Sequence, residues 1–461
     1  MLIANRGEIA VRIVKACFDE NIESVLALSA ADRGSLGAQL ADRTVVIGPA
    51  AAAESYLDVD RVVSAAKVTG CDALHPGYGF LSERPELAAA CEEEGVIFIG
   101  PSAAAMRRSG DKATARALAK ELDVPINEGS DVIETEAEAR AIAGEIGYPV
   151  LLKASAGGGG RGMRMVEDEG GMAAAFAQAH GEAEAAFGDG RLFLERYVRA
   201  ARHVEVQVLG DAAGNVIHLG TRDCTLQRRY QKLVEEAPAQ DLPDALRNEI
   251  QDAAVRLIGA LEYTGAATCE FLVDPERGSA GFLEINARLQ VEHPVSEIVT
   301  GVDVVREMLR IAGGEGLSVS QEEIELSGHA IEVRINAESP ERDFAPTPGT
   351  LTTWAVPEGT DVRVDTACFP GWTVPPYYDS LLAKLIGSGP DRTAALARTR
   401  QALRHLRVEG VETTAGFALD LLEHPEVVAN RVHTRWVEET FLPEWNAGRA
   451  PAVADPAEVA A

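Results

Sequence analysis

The run Glu284-Ile-Asn-Ala-Arg-Leu-Gln-Val-Glu-His-Pro294 concentrates carboxylate, carboxamide and guanidinium side chains in one short stretch. Glu284, Asn286, Arg288, Gln290 and Glu292 recur in steps of two. In a strand, alternation sends Glu284 and Asn286 to one face and Leu283 and Ile285 to the other. Carboxylates beside a carboxamide are hard oxygen donors for a divalent cation, a guanidinium holds an anion, and a further carboxylate serves as a base. An edge strand with one solvated face carries the same alternation, so this run needs support from elsewhere in the chain.

A second carboxylate supplies part of it. Glu270 and Glu284 are each seven residues from Arg277, on expected strands 268–273 and 281–286 joined by Asp274-Pro-Glu-Arg-Gly278. A symmetric hairpin places them face to face, where like charges repel unless a cation intervenes. Gln227-Arg-Arg-Tyr-Gln-Lys-Leu-Val-Glu-Glu236 sets three cations beside acidic residues. Alone it reads equally as a solvated surface segment; with Arg288 and Arg334 it becomes a basin for a small anion, with Glu292 as the base. Cations around Glu292 lower its pKa and burial raises it, and the sequence does not decide between them.

Lys153-Ala-Ser-Ala-Gly-Gly-Gly-Gly-Arg-Gly-Met163 follows the strand-like Val150-Leu-Leu152. Its glycines, Gly158, Gly159 and Gly160 among them, let backbone amides turn toward phosphate oxygens. Gly-x-Gly-x-x-Gly occurs formally at 157, 159 and 162, but Met163-Arg-Met-Val166 alternates like a strand instead of opening a helix. The dinucleotide fingerprint therefore fails its context, and the Walker ending is missing. A hairpin clamp over nucleotide phosphates remains, beside the alternative of an ordinary glycine loop.

Around these groups, 461 residues with 46% hydrophobic content suit roughly three packed units. A formal charge of −29 argues against nucleic acid or an anionic membrane as a partner. No apolar run approaches the ~18 residues of a membrane span, and the opening Met1-Leu-Ile-Ala-Asn-Arg6 lacks the order of a signal peptide, so the expected compartment is the cytoplasm. The cysteines at 17, 71, 91, 224, 269 and 368 show no Cys-x-x-Cys spacing and read as buried thiols.

The first ~110 residues alternate apolar runs (Val25-Leu-Ala-Leu28, Val45-Val-Ile47, Val96-Ile-Phe-Ile99) with helical patterns, the rhythm of a parallel sheet. Asn5-Arg6-Gly7-Glu8 lies between the first strand and a helix running to about Phe18. From Leu122 to Val198 the chain is rich in Ala, Glu and Gly, as for a small inserted lid. Alternation returns at His203-Val-Glu-Val-Gln-Val-Leu209, a β-rich section follows Gly328, and Asp391 to Leu406 reads as a closing amphipathic helix.

Taken in order, Ile3-Ala-Asn-Arg-Gly-Glu-Ile9, His75-Pro-Gly-Tyr-Gly-Phe-Leu-Ser-Glu83, the Lys153 glycine loop, Arg202-His-Val-Glu205, the Gln227 segment, Glu284 to Pro294 and Val374-Pro-Pro-Tyr-Tyr-Asp-Ser380 resemble the biotin carboxylases, ATP-grasp components of acyl-CoA and related carboxylases. The resemblance spans residues 1 to 440. It implies a mixed α/β and α+β chain with an ATP-grasp fold: a Rossmann-like parallel-sheet domain over 1–110, an ATP-grasp region over 111–327 with a mobile glycine-loop lid at about 125–197, a β-rich C-terminal domain over 328–440, and a tail or linker over 441–461.

The resemblance also assigns roles. MgATP phosphorylates bicarbonate, carboxyphosphate releases carbon dioxide, and phosphate deprotonates biotin N1. Lys112, Lys153 and the glycine loop hold ATP phosphates; Glu195, Arg196, Tyr197 and Val198 form the adenine connection; His203, Gln227 and Glu205 complete the nucleotide pocket. Glu270, Glu284 and Asn286 carry Mg2+ or Mn2+. Lys232, Arg288, Gln290 and the Val291 amide bind bicarbonate, Glu292 is the base, and Arg334 stabilises the biotin enolate. Expected partners are a biotinylated carrier on another chain or region, since no Met-Lys-Met attachment segment occurs, a carboxyltransferase, and a second copy with Arg12 near the contact.

Three departures stand out: Tyr230 where many relatives have histidine, Ala156 for glycine, and Arg84 for an asparagine. Another bicarbonate-phosphorylating ligase of the same fold, or a non-catalytic scaffold, are the competing functions. Glu292 with Arg334 and the Val374 to Ser380 string favours biotin, and intact lysines and carboxylates speak against a scaffold.

Overall fold

Apolar runs at the N-terminus build a five-stranded parallel sheet in the order Arg43–Gly48, Val25–Ser29, Leu2–Ile3, Ala73–His75, Ile97–Phe98. The computed structural model describes residues 1–154 and 163–449; Ala156 and the glycines at 158, 159 and 160 lie outside them. Helix Gly7–Asp19 buries Ile9, Ile13 and Cys17, spaced one turn apart. Strand order reverses at Leu2–Ile3, where two loops meet: Asn5 Nδ2 donates to the carbonyls of Pro76 and Tyr78, each at 2.7 Å. Gly77 has φ +65°, and a Cβ there would stand 2.8 Å from Asn5 Nδ2, so glycine is required. Such a reversal leaves a crevice at the carboxyl ends of the strands, a usual ligand position. Arg84 occupies the N-cap of helix Pro85–Glu93 without a side-chain cap bond. An asparagine there would supply one, a difference of about 1 kcal/mol.

Val150–Ala154 pairs with Met163–Val166 and Leu192–Arg196 in a three-stranded sheet covered by helices Glu136–Ile146 and Met172–Phe187. Ala139, Ala143, Val150, Leu152, Phe176 and Leu194 give this inserted unit its own core. Thr135 and Glu138 start it with a capping box.

The central element is an eight-stranded antiparallel sheet: Ser279–Asn286, Gly265–Asp274, Arg202–Gly210, Val216–Arg228, Gln231–Ala237, His329–Asn336, Leu381–Gly389, Val362–Thr366. It runs unbroken through the boundary expected at 327/328, with Val234 opposite Val333 and Glu235 opposite Glu332. Val204, Val206 and Val208 enter a core with Ile250 and Leu257 of helix Asp244–Ala260 and with Phe271. Alternation turns His203, Glu205 and Gln207 to the opposite face. Helix Arg392–His405, capped by Asp391, packs on the C-terminal strands as its pattern suggested.

The tail expected from residue 441 begins too early. A π-helical turn Val437–Phe441 continues into helix Leu442–Arg449. Phe441 and Trp445 pack edge-on against Phe417 with centroids 5.3 and 5.2 Å away, and the Trp445 indole donates to Asp420 at 2.8 Å. Alanine-rich composition concealed one tryptophan large enough to anchor the last turns. Among the described residues no helix is long and apolar enough to cross a membrane.

A buried ion cluster fastens the C-terminal strands to the rest. Glu236 accepts from His329 Nε2 at 2.8 Å and from Arg392 Nε at 2.7 Å. Burial opposes its charge, but these two donors prevail and lower its pKa from 4.5 to about 2. A depressed carboxylate pKa contributes stability above the ordinary value that disappears as pH falls through the depressed one. Glu236→Gln is therefore expected to destabilise the protein by about 3 kcal/mol near neutrality, with a smaller loss toward pH ~2. Urea unfolding across pH checks this; parallel stability curves for the two proteins would contradict it.

Candidate active site

Four adjacent strands place Arg222, Glu205, Glu270 and Glu284 side by side: Arg222 opposite Glu205, Glu205 opposite Glu270, and Glu270 opposite Glu284. Three neighbouring carboxylates in register repel strongly unless cations are interleaved. Arg222 is wholly buried and donates to Glu205 at 2.5 Å, to Gln207 at 2.7 Å, and to Ser296 and Thr268 at 3.1 Å. Lys232 supplies the second cation: its Nζ lies 2.6 Å from Glu205 Oε2, 3.1 Å from Glu270 Oε1 and 2.6 Å from Glu292 Oε1. Burial works against the ammonium, yet the surrounding anionic groups hold its pKa well above the ordinary lysine value.

The expected strand stops at Asn286, because residues 287–292 form a turn into helix His293–Thr300. The strand thus ends where the expected bounds 281–286 end it, and from the turn after it Gln290 and Glu292 enter the cluster. The Gln290 amide, set with nitrogen toward Glu292 at 2.5 Å and oxygen toward Asn286 Nδ2 at 3.1 Å, links the turn to the strand. Arg288 lies 3.1 Å from Glu83 and donates to Asn286 Oδ1 at 3.3 Å. Arg334 donates to Glu292 Oε2 at 2.9 Å. For Glu292, burial favours the acid, but Lys232, Arg334 and Arg222 outweigh it and hold the pKa far below the usual range. It is a carboxylate at neutral pH.

Glu270 and Glu284 face each other by a different route from the symmetric hairpin. The turn spans four residues, 275–278, and Phe271 stands opposite Phe282. Leu283 is the extra residue of a bulge, after which Glu284 comes opposite Glu270. Asn286 Nδ2 donates to Glu270 Oε1 at 2.9 Å. Glu270, although buried, is kept ionised by Lys232 and His203, while the same carboxylate raises the pKa of His203 against its burial. Two carboxylates and a carboxamide on one face fit a hard divalent cation such as Mg2+. His203, Glu205 and Glu270 also bring ligand atoms within 4.8 Å of one another, as do Glu205, Cys224 and Glu292. At those two groupings Lys232 already supplies the positive charge.

Lys112 opens helix Lys112–Glu121 and reaches Glu284 Oε2 at 3.0 Å. Lys153 lies in the inserted sheet, 2.5 Å from Glu195, which also holds Arg116 at 3.1 Å. Arg196 is engaged by Asp274 at 2.5 Å and Glu128 at 3.3 Å, so its side chain holds the connection in place. Tyr197 accepts from Arg435 at 2.9 Å, and Val198 is buried. Lys153 and Glu195 to Val198 form a second group along the inserted unit. Gln227 is buried opposite Lys232. Tyr230 is 70% exposed in the turn joining those strands, with φ +64° after Arg229 at +48°. That departure lies outside the carboxylate cluster.

Sequence reasoning missed Arg222, Glu235 and Lys384. Glu235 accepts from Arg334 Nε at 2.6 Å, and Lys384 donates to the Val291 carbonyl at 3.0 Å. Arg222 was recoverable, since an arginine inside the apolar Val216–Arg228 strand needs a buried partner.

Family descriptions match in three blocks: the biotin carboxylase N-terminal domain over residues 1–106, the carbamoyl-phosphate synthase L chain ATP binding domain over 111–320, and the biotin carboxylase C-terminal domain over 332–439. Biotin carboxylase 1 of Bacillus subtilis is 49% identical over 95% of this chain and 98% of its own length. A pyruvate carboxylase subunit of Methanothermobacter thermautotrophicus is 44% identical over 95% of this chain and 89% of its own. The biotin carboxylase domain dimer of the Hydrogenobacter thermophilus 2-oxoglutarate carboxylase, solved with MgADP, ADP and bicarbonate, superposes with a TM-score of 0.87 at 44% identity, covering 95% of this chain and 96% of that one.

The charge row makes Arg222 indispensable. Arg222→Met is expected to cost about 3 to 5 kcal/mol, because Glu205 is left buried without its strongest partner. Chemical denaturation measures this, and a loss under about 1 kcal/mol would show that the row is compensated elsewhere.

Proposed function

The chain belongs to the biotin carboxylase family, and from that premise we infer that its cluster of buried charges carries out MgATP-dependent carboxylation of biotin by bicarbonate, by way of carboxyphosphate. The enzyme is an ATP-dependent ligase. The observation that carries the assignment of its base is Glu292, buried and ionised between Lys232 and Arg334.

In this reading bicarbonate lies against Lys232, Arg288, Gln290 and the Val291 amide, with Glu292 taking its proton. A carboxylate so strongly compensated is a weak base until its cations are shared. Arrival of the anion draws donors of Lys232 away from Glu292, and the proton affinity of Glu292 rises when it is needed. Lys384, bonded to the Val291 carbonyl, keeps the turn in place.

ATP phosphates are assigned to Lys112, Lys153 and the glycine loop, and the adenine to the Glu195 to Val198 connection, with His203 and Gln227 completing the pocket. Support comes from the fold: Lys112 stands against Glu284, and Lys153 and Glu195 sit on the separately cored unit that serves as lid. Glu270, Glu284 and Asn286 would hold the divalent cation, Mg2+ or Mn2+, which would neutralise charge developing on the phosphate oxygens. Arg334 is assigned to the biotin enolate, a role that suits a guanidinium that stays charged at any working pH.

We place the enzyme in the first half-reaction of an acyl-CoA carboxylase, with a biotinylated carrier and a carboxyltransferase as partners and a homodimer as the assembly. The similarity both to a biotin carboxylase and to a pyruvate carboxylase subunit leaves the final acceptor to those partners. The cytoplasm is the proposed compartment, and six buried free thiols accord with a reducing one.

Phosphate release from MgATP tests the assignment directly. Stimulation by bicarbonate and further by free biotin, with carboxybiotin formed, is the expected result. Turnover that ignores biotin would indicate another bicarbonate kinase, and no turnover even with a biotinylated carrier would indicate a scaffold. Glu292→Gln is expected to lower bicarbonate-dependent turnover by about 100-fold or more while MgATP affinity stays near wild type. Isothermal titration with nucleotide separates the two quantities, and equal losses in both would refute this division of roles.

A further inference from the structure

Arg334 stands in a layer of charged side chains that includes Glu235 and Glu332, two buried carboxylates that the reaction as described does not use. Glu235 pairs with Glu332 across neighbouring strands, Arg334 with Lys384, and Lys384 with Asp365. Residues opposite one another in antiparallel strands share a face, as do residues two apart, so all five groups lie in one layer. Helix His293–Thr300, with Glu292 at its N-cap, packs on these strands. Glu235, Glu332 and Lys384 have no exposed surface. Arg334 donates from Nε to Glu235 Oε1 at 2.6 Å, and its terminal nitrogen stands 2.5 Å from the same oxygen and 2.9 Å from Glu292. Lys384 is engaged by the Val291 carbonyl at 3.0 Å and Glu8 at 3.1 Å. Glu235 Oε2 and both carboxylate oxygens of Glu332 are left without a hydrogen-bond partner.

A buried carboxylate with neither oxygen bonded is stable only as the neutral acid. Facing Glu332 are Glu235 from the Gln231–Ala237 strand, Arg334 from its own strand, Lys384 from Leu381–Gly389, and Glu292 from the helix N-terminus. Burial pushes Glu332 well above the usual range, the two cations pull it down, and the two carboxylates add to the rise. Burial likewise raises Glu235, to about 7, with Arg334 opposing. Each further ionised carboxylate beside Arg334 would subtract from the charge it has to offer. We propose that Glu235 is a positioning residue that aims the Arg334 guanidinium at biotin, and that Glu332 is kept as a neutral acid beside it so that no further anion cancels the positive field of Arg334 at biotin. The inference rests on Arg334 meeting the biotin enolate.

The test uses the full chain with MgATP, bicarbonate and free biotin, comparing biotin-dependent turnover with the phosphate release seen without biotin. Glu235→Gln is expected to lower the ratio of the two by about tenfold, and Glu235→Asp, which keeps the charge, to restore part of it. Glu332→Gln mimics the neutral acid, so the pH profile of biotin-dependent turnover should keep its wild-type position through the neutral range. Glu235→Gln reducing both activities in equal proportion, or Glu332→Gln displacing the profile, overturns the proposal. Should Glu235→Gln not fold, the ratio for Glu235→Asp decides: no fall from wild type counts against positioning, and a fall supports it. Arg334→Lys separates the two readings. If it leaves the ratio unchanged, the role of Arg334 itself fails; if it lowers the ratio while the Glu235 variants do not, only the positioning role of Glu235 fails.

Discussion

The Lys232 ammonium stands against Glu205, Glu270 and Glu292 at once, at 2.6, 3.1 and 2.6 Å, and nearly everything else in the site follows from that arrangement. Three carboxylates brought together in a region sealed by the sheet and the helices on it cannot all stay ionised without charge between them. With Lys232 and Arg222 in place they can, and ionised carboxylates are what a divalent cation and a proton acceptor both require. The same lysine that holds these carboxylates together is assigned to the incoming bicarbonate. Binding of substrate and activation of the base are then two consequences of redistributing one set of hydrogen bonds.

The sheet is the reason such a cluster can exist. Its core-facing residues, Val204, Val206, Val208 and Phe271 among them, bury against helices on one side, so the other side is free to carry charge. Because the sheet continues from the ATP-grasp strands into the C-terminal strands, Glu270 and Arg334 are held by one hydrogen-bonded frame. The inserted unit is organised differently: it has a separate core and carries Lys153 and Glu195, paired at 2.5 Å.

The family and the fold class were legible in the sequence because both rest on local strings and on apolar periodicity. A run such as Asn5-Arg6-Gly7-Glu8 needs only its strand before and helix after to place it at the end of a parallel strand. The hairpin carrying Glu270 and Glu284 was foreseen with the right partners for a wrong geometric reason, since the symmetry assumed about Arg277 is replaced by a shorter turn and a bulge at Leu283. Composition begins the tail too early because it averages over residues, whereas two aromatics, Phe441 and Trp445, anchor the last turns.

Residue types, their order, and the alternation that puts His203 and Glu205 on one face were determined by the sequence itself, since a strand's side-chain period is a property of the backbone. Tertiary structure alone decided the rest. Leu233 and Leu283 are each the extra residue of a bulge, so Lys232 joins the face of Glu235, and Glu284 and Phe282, two apart, face opposite ways. A single inserted residue reverses every side chain beyond it, and no periodicity reveals where the partner strand will force one. The charge state of Glu292 was equally hidden: burial and nearby cations act in opposite directions, and only the distances to Lys232 and Arg334 say which prevails.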